Sequence, residues 1–219
     1  MRELTMNETV PPAMARSGRA GALVAVVGPS GAGKDTLIGH ARAALATDRA
    51  FLFARRLVTR RANAFEDHDT IDEAAFSAGH NSDSGSFALS WRAHGLGYAL
   101  PAEIGEAAAR GTIVVCNLSR GVLAEARRRF PRLAVVEVTA PPEVLAARLS
   151  ARGREGAAAI AARLDREASM QPRLVADLVI LNDRPLAESG GALVRFLSRL
   201  AGGDPIGEAA AAAMADGPA

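Results

Sequence analysis

The run Gly28-Pro29-Ser30-Gly31-Ala32-Gly33-Lys34-Asp35-Thr36 joins glycines at 28, 31 and 33 to the only lysine of the chain. Glycine reaches backbone conformations closed to residues with a Cβ and lets the chain approach a bulky anion, so that successive N–H groups turn inward as an anion nest. Lys34 adds a compact ammonium on a flexible stem, suited to bridging outer phosphates, in a sequence whose other Lys/Arg positions are all arginine. These types in this order support polyphosphate binding and phosphoryl transfer, with Gly28 to Thr36 as the nucleotide-binding loop and Lys34 as a catalytic cation. Asp35 stands where such loops place a Ser or Thr hydroxyl on magnesium, and Thr36 comes one place later. A carboxylate suits a hard cation, so Asp35 is expected to contact Mg²⁺ directly or through a water. The alternative is a first-turn acid favoured only by the helix dipole.

Two arginine groups are candidates to complete the site. Arg55, Arg56, Arg60 and Arg61 stand near Glu66, Asp67 and His68, followed by Phe87-Ala88-Leu89-Ser90-Trp91-Arg92-Ala93-His94-Gly95-Leu96-Gly97-Tyr98, which holds the only tryptophan and the only tyrosine. Guanidinium forks bind phosphate oxygens in pairs, and Ser, Tyr and His hydrogen-bond phosphates or sugar hydroxyls, so a doubly phosphorylated small substrate suits the set. Taken singly, Arg61 and Arg92 read as solvated surface charges and Trp91 as core filler. The second group is Arg148, Arg152, Arg154 and Arg163, set around Gly153. A helix that breaks at a glycine among arginines has the make-up of a lid over 151–157, whose charges stabilise a transferring phosphoryl group and whose closure excludes water. An ordinary basic helical hairpin is the alternative account, which suits Arg163 and suits Arg152 less well.

These residues need a frame. Ala22 to Val27 is apolar and β-branched on both faces, as a central parallel strand is, and Leu37, Ile38, Ala41, Ala44 and Leu45 mark a helix starting near Lys34. Further strands are expected over 51–57, 112–116, 133–138 and 178–181, and helices near 102–110, 122–130, 142–151, 157–169 and 186–200. That alternation predicts an α/β three-layer sandwich around a parallel sheet, with ligands beyond the carboxyl ends of the strands. Polar, glycine-rich residues 58–100 interrupt it and read as an inserted substrate lobe. Residues 1–19 and 201–219 lack periodicity and read as disordered tails around one domain over 20–200.

The formal net charge is +2, which argues against a nucleic-acid partner and favours small anionic substrates. Cys116 is the sole cysteine, so no internal disulfide forms, and a buried structural thiol is expected. No apolar stretch with a basic flank opens the chain and none approaches a membrane span, so a cytoplasmic protein without a membrane partner is expected. The reading leaves room for a homodimer.

The loop, the region from Arg56 to His68, the arginine lid and Leu181-Asn182-Asp183 resemble the guanylate kinase fold. Gly28 to Asp35, Ala54-Arg55-Arg56, Thr59-Arg60, Glu66-Asp67-His68, Phe87 to Trp91, Ala93 to Leu96, Asn117 with Ser119-Arg120, and Arg152-Gly153-Arg154-Glu155 resemble the ribose 1,5-bisphosphate phosphokinases of phosphonate breakdown, over about 21 to 200. The resemblance implies transfer of the γ-phosphoryl group of ATP, with Mg²⁺, to ribose 1,5-bisphosphate, giving 5-phosphoribosyl 1-diphosphate. It implies that Arg56, Arg60, Glu66, His68, Ser90, Tyr98, Asn117, Ser119, Arg120 and Arg163 hold the sugar phosphate, while Lys34, Asp35, Arg148 and Arg152 act on the transferring group. Leu89 stands near the place where guanylate kinases read guanine with a glutamate, and Cys116-Asn117-Leu118-Ser119 replaces the aspartates expected at the strand end. A nucleoside monophosphate kinase and a non-catalytic guanylate-kinase-like binding module are the competing readings.

Overall fold

The computed structural model describes residues 21–61, 68–81, 85–93, 95–151 and 174–206. Its centre is β1 (Ala22–Val27), whose residues are all buried. β1 pairs in parallel with β7 (Ile113–Asn117) and β8 (Leu133–Thr139), and β2 (Phe51–Phe53) and β9 (Leu178–Leu181) close the edges in the order β2-β7-β1-β8-β9.

Because side chains alternate across a strand, β1 supplies two cores. Val24 and Val26 join Val115, Val136 and Val138 beneath Leu37 and Ile38 of α1 (Lys34–Ala44) and Leu193 and Leu197 of α6 (Leu186–Gly202). Leu23, Ala25 and Val27 face the opposite layer with Val114, Cys116, Ile104 of α3 (Ala102–Ala109) and Leu123 and Ala126 of α4 (Leu123–Arg129). Leu89 and Trp91 of β5 (Phe87–Ala93) and Leu100 of β6 (Leu96–Pro101) complete that second core. α6 continues past its expected end at 200 to Gly202, and Ile206 packs partly against the first core.

The strand expected over 51–57 is two strands. β2 ends at Phe53, and β3 (Arg56–Val58) belongs to a second sheet of order β4-β3-β6-β5, with β4 spanning His68–Thr70. Arg55 and Arg56 are the physical reason. Continued between two packed layers, neighbouring residues point to opposite faces, so one guanidinium would enter an apolar core without a partner. In the second sheet Arg55 reaches Asp69 at 2.9 Å and the carbonyl of His68 at 3.0 Å, while Arg56 turns toward a cleft. α2 (Glu73–His80) covers this sheet through Phe76, which is fully buried.

Cys116 is fully buried in the second core, and desolvation pushes its thiol from an ordinary 9.0 up to about 12. The folded thiol therefore stays neutral where the unfolded chain ionises. The stability linked to it is complete below about pH 9 and falls as pH rises toward 12, at up to about 1.4 kcal/mol per unit. Urea titrations above pH 9 should show this loss in the parent and not in Cys116→Ala, and alkylation of native protein at neutral pH should be negligible. Among the described residues no helix is long and apolar enough to cross a membrane.

Candidate active site

The loop after β1 needs glycine for reasons visible in the packing. Gly28 has φ 139° and a Cβ there would lie 1.9 Å from the carbonyl oxygen of Val138, in the neighbouring strand. Gly33 has φ 89° and sits directly before α1, where a Cβ would lie 2.4 Å from Nδ2 of Asn182. No side chain caps α1 at this end, and the first intrahelical bond runs from Leu37 N–H to the Gly33 carbonyl. The N–H groups of Lys34, Asp35 and Thr36 thus open into the cleft at the positive end of the helix, the arrangement that binds anions.

Lys34 extends back over the loop, its Nζ donating to the carbonyls of Gly28 and Pro29 at 2.9 Å each. Pro29 and Ala32 are the buried back of the loop. Asn182 pins that back by donating from Nδ2 to the Ala32 carbonyl at 2.7 Å. Arg148, from α5 (Pro142–Ala151), donates from Nη2 to the Asn182 carbonyl at 3.0 Å, and its Nη1 is buried without a hydrogen-bond partner among the described residues. Nη1 lies 3.9 Å from the Cβ position of Gly33, and Arg148 is not among the described residues that line the cleft.

A cleft of about 230 Å³ runs from this loop to the second sheet. On the loop side it is lined by Gly28, Ser30, Gly31, Gly33 and Lys34 to Thr36; on the far side by Arg56, Val58, Arg60, His68 and Tyr98; and at its floor by Asn117 to Arg120. Lys34, Arg56, Arg60 and Arg120 set four permanent cations against one carboxylate, Asp35, among these residues. The cleft therefore favours a ligand carrying several negative charges.

Its walls are held by neighbours. The Arg56 guanidinium lies over the Tyr98 ring at 5.6 Å, and Tyr98 stacks on Trp91, its partner across β5 and β6, at 5.4 Å. Trp91 donates from Nε1 to Ser119 Oγ at 2.9 Å, so it fills the core and also anchors the floor. His68 is buried, with Nε2 3.2 Å from the Arg60 carbonyl. Asn117, closing β7, donates from Nδ2 to Asp35 Oδ1 at 2.7 Å.

The residues expected from sequence divide accordingly. The loop, Arg56, Arg60, His68, Tyr98, Asn117, Ser119 and Arg120 meet at one cleft. Ser90 does not. It alternates with Trp91 along β5, so when Trp91 faces the floor Ser90 faces α2, where its Oγ is 2.8 Å from His80 Nδ1. Ser90→Ala is expected to leave kcat/KM within about twofold of the parent, as steady-state rates will show. Leu89, near the place where guanylate kinases read guanine, also lies away from the cleft. It is wholly buried beside Leu100 and Ile104, so its apolar side chain fills the core and does not wall a base site. Glu66, Arg152, Arg154 and Arg163 lie outside the described residues.

Sequence reasoning missed Val58 and Leu118 as lining residues, and Asn182 as the clasp on the loop. For Asn182 a signal existed: an amide directly after an apolar strand, at the carboxyl end where ligands gather.

No family model matches the chain. Ribose 1,5-bisphosphate phosphokinase PhnN of Methylobacterium radiotolerans is 56% identical over 177 residues, covering 81% of this chain and 97% of that relative. The proteins of the same name from Acidiphilium cryptum and Brucella melitensis are 47% and 44% identical, covering 85% and 83% of this chain and 96% and 94% of their own. Among solved structures, the guanylate kinase of Anaplasma phagocytophilum superposes with a TM-score of 0.54 at 16% identity, covering 83% of this chain and 86% of that one. The likeness shows a shared α/β fold.

Proposed function

The chain belongs to the ribose 1,5-bisphosphate phosphokinase family, and on that premise we propose that its cleft phosphorylates ribose 1,5-bisphosphate, with ATP as donor and 5-phosphoribosyl 1-diphosphate and ADP as products. The observation that carries the reading is the single cleft in which a phosphate-binding loop faces Arg56, Arg60 and Arg120. A nucleotide polyphosphate and a bisphosphate sugar each bring charge that those cations neutralise. Guanylate kinase likeness at 16% identity supports the fold and not a purine acceptor.

In this mechanism the loop N–H groups and Lys34 hold the outer phosphates of the donor. Lys34 exchanges its contacts with the Gly28 and Pro29 carbonyls for phosphate oxygens. Arg56, Arg60 and Arg120 orient the acceptor, with Tyr98 fixing Arg56 through its ring. An oxygen of the 1-phosphate then forms a bond to the γ-phosphorus as the bond from that phosphorus to the bridging oxygen of ADP breaks. No side chain has to remove a proton, because a phosphate acceptor is already ionised near neutral pH. Alignment and charge neutralisation supply the catalysis.

Asp35 fits a magnesium ion, because among the described residues it is the sole carboxylate lining the cleft and it stands in the first turn beside Lys34. Magnesium, when bound, neutralises charge on the outer phosphates. Roles for Glu66, Arg152 and Arg163 rest on the sequence, and so does the setting in phosphonate breakdown.

The test is incubation of the purified protein with Mg-ATP and either ribose 1,5-bisphosphate or GMP, followed by anion-exchange chromatography of the products. Phosphoribosyl diphosphate is expected from the first mixture alone. Turnover of GMP alone would overturn the assignment, and turnover of neither would point to a binding module.

A further inference from the structure

We propose that Asn117 is a positioning residue for Asp35, and that the two have exchanged the places ordinarily given to a carboxylate and a small polar group around the metal of a phosphate-loop kinase. The inference rests on the kinase reading above. In such kinases the residue after the loop lysine supplies a hydroxyl and a neighbouring strand end supplies an aspartate. Here the helix supplies the carboxylate and the strand end supplies a neutral amide.

The geometry makes the exchange reciprocal. Asn117 ends β7, one place from the central strand, and is paired with Val26; Asp35 lies in the first turn of α1. Residues 82 positions apart in sequence meet at 2.7 Å, and both line the cleft. An ionised carboxylate only accepts hydrogen bonds, so the amide presents its nitrogen to Asp35 and its oxygen elsewhere. One Asp35 oxygen is thereby held, and the other, with the remaining lone pairs, stays able to bind a hard cation.

Charge explains why the partner is an amide. One carboxylate at this point gives the cation the same single negative charge as the usual arrangement. A second at hydrogen-bond distance would repel the first and raise the negative charge of a cleft that must admit polyphosphates. The amide fixes Asp35 without adding charge.

Binding of Mn²⁺ to the ADP complex, followed by electron paramagnetic resonance, reads the metal site without turnover. Asn117→Ala and Asp35→Thr are each expected to weaken Mn²⁺ binding by about tenfold or more, as loss of a ligand or its orienting partner does. The double variant Asp35→Thr/Asn117→Asp restores the ordinary arrangement and is expected to regain most of the loss. Thermal melts identify any variant that fails to fold, and the double variant then decides. Unchanged Mn²⁺ binding in folded Asn117→Ala, or a folded double variant no better than Asp35→Thr, would overturn the proposal. A parent protein that binds Mn²⁺ and ADP but leaves ribose 1,5-bisphosphate unchanged would sink the substrate assignment instead, with the metal result standing.

Discussion

Lys34→Ala is expected to lower kcat/KM by about a thousandfold or more while the protein remains folded. The size follows from removing a cation that meets charge on the transferring group, an effect worth several kcal/mol inside a cleft. Folding should survive, because Lys34 and Gly28 line the open cleft, where water replaces the ammonium at the Gly28 carbonyl. Lys34→Arg should not rescue the rate. A planar fork cannot take the place of a compact ammonium between a tight loop and a polyphosphate. The measurement is kcat/KM beside a thermal melt; a folded Lys34→Ala enzyme within tenfold of the parent would remove Lys34 from the mechanism.

Gly28→Ala should act on the fold itself. Its φ of 139° is a conformation L-residues rarely adopt, and its Cβ would lie 1.9 Å from a main-chain oxygen of β8, which no rotamer change relieves. Strain and displacement of the β1–β8 seam together are expected to cost about 3 kcal/mol or more and to abolish nucleotide binding. Gly39→Ala is the contrast. Gly39 is exposed within α1, a Cβ there meets nothing within 4 Å, and the substitution should stabilise by about 0.5–1 kcal/mol. Urea unfolding of the two variants should therefore move in opposite directions, and nucleotide titration should fail only for Gly28→Ala.

How much of this was legible depended on the range of the interactions involved. The loop could be read because its chemistry is contiguous: glycines for the backbone, a lysine for charge and a helix start, all within Gly28 to Thr36. β1 could be read because a buried parallel strand has a continuous apolar signature, and β9 by its apolar run, although Val179 and Leu181 of it are exposed. The break between Phe53 and Arg56 was less visible, since apolar residues run up to Ala54 and resume at Leu57, and only the expense of burying a guanidinium ends the strand. Trp91 was read as core filler and is also a hydrogen-bond donor to the cleft floor, a role set by where Ser119 arrives.

By itself the sequence determined the phosphate chemistry, the alternation of strands and helices and the abundance of arginine near the second sheet, because these depend on residue type and short spacing. The tertiary structure alone decided that Ser90 turns to α2 and Leu89 into the core, that Asn182 clasps Ala32 and that Asn117 holds Asp35. Such outcomes follow from strand register and from which elements pack together. A shift of one residue in β5 would send Ser90 to the other face, and a contact across 82 residues leaves no trace in local spacing.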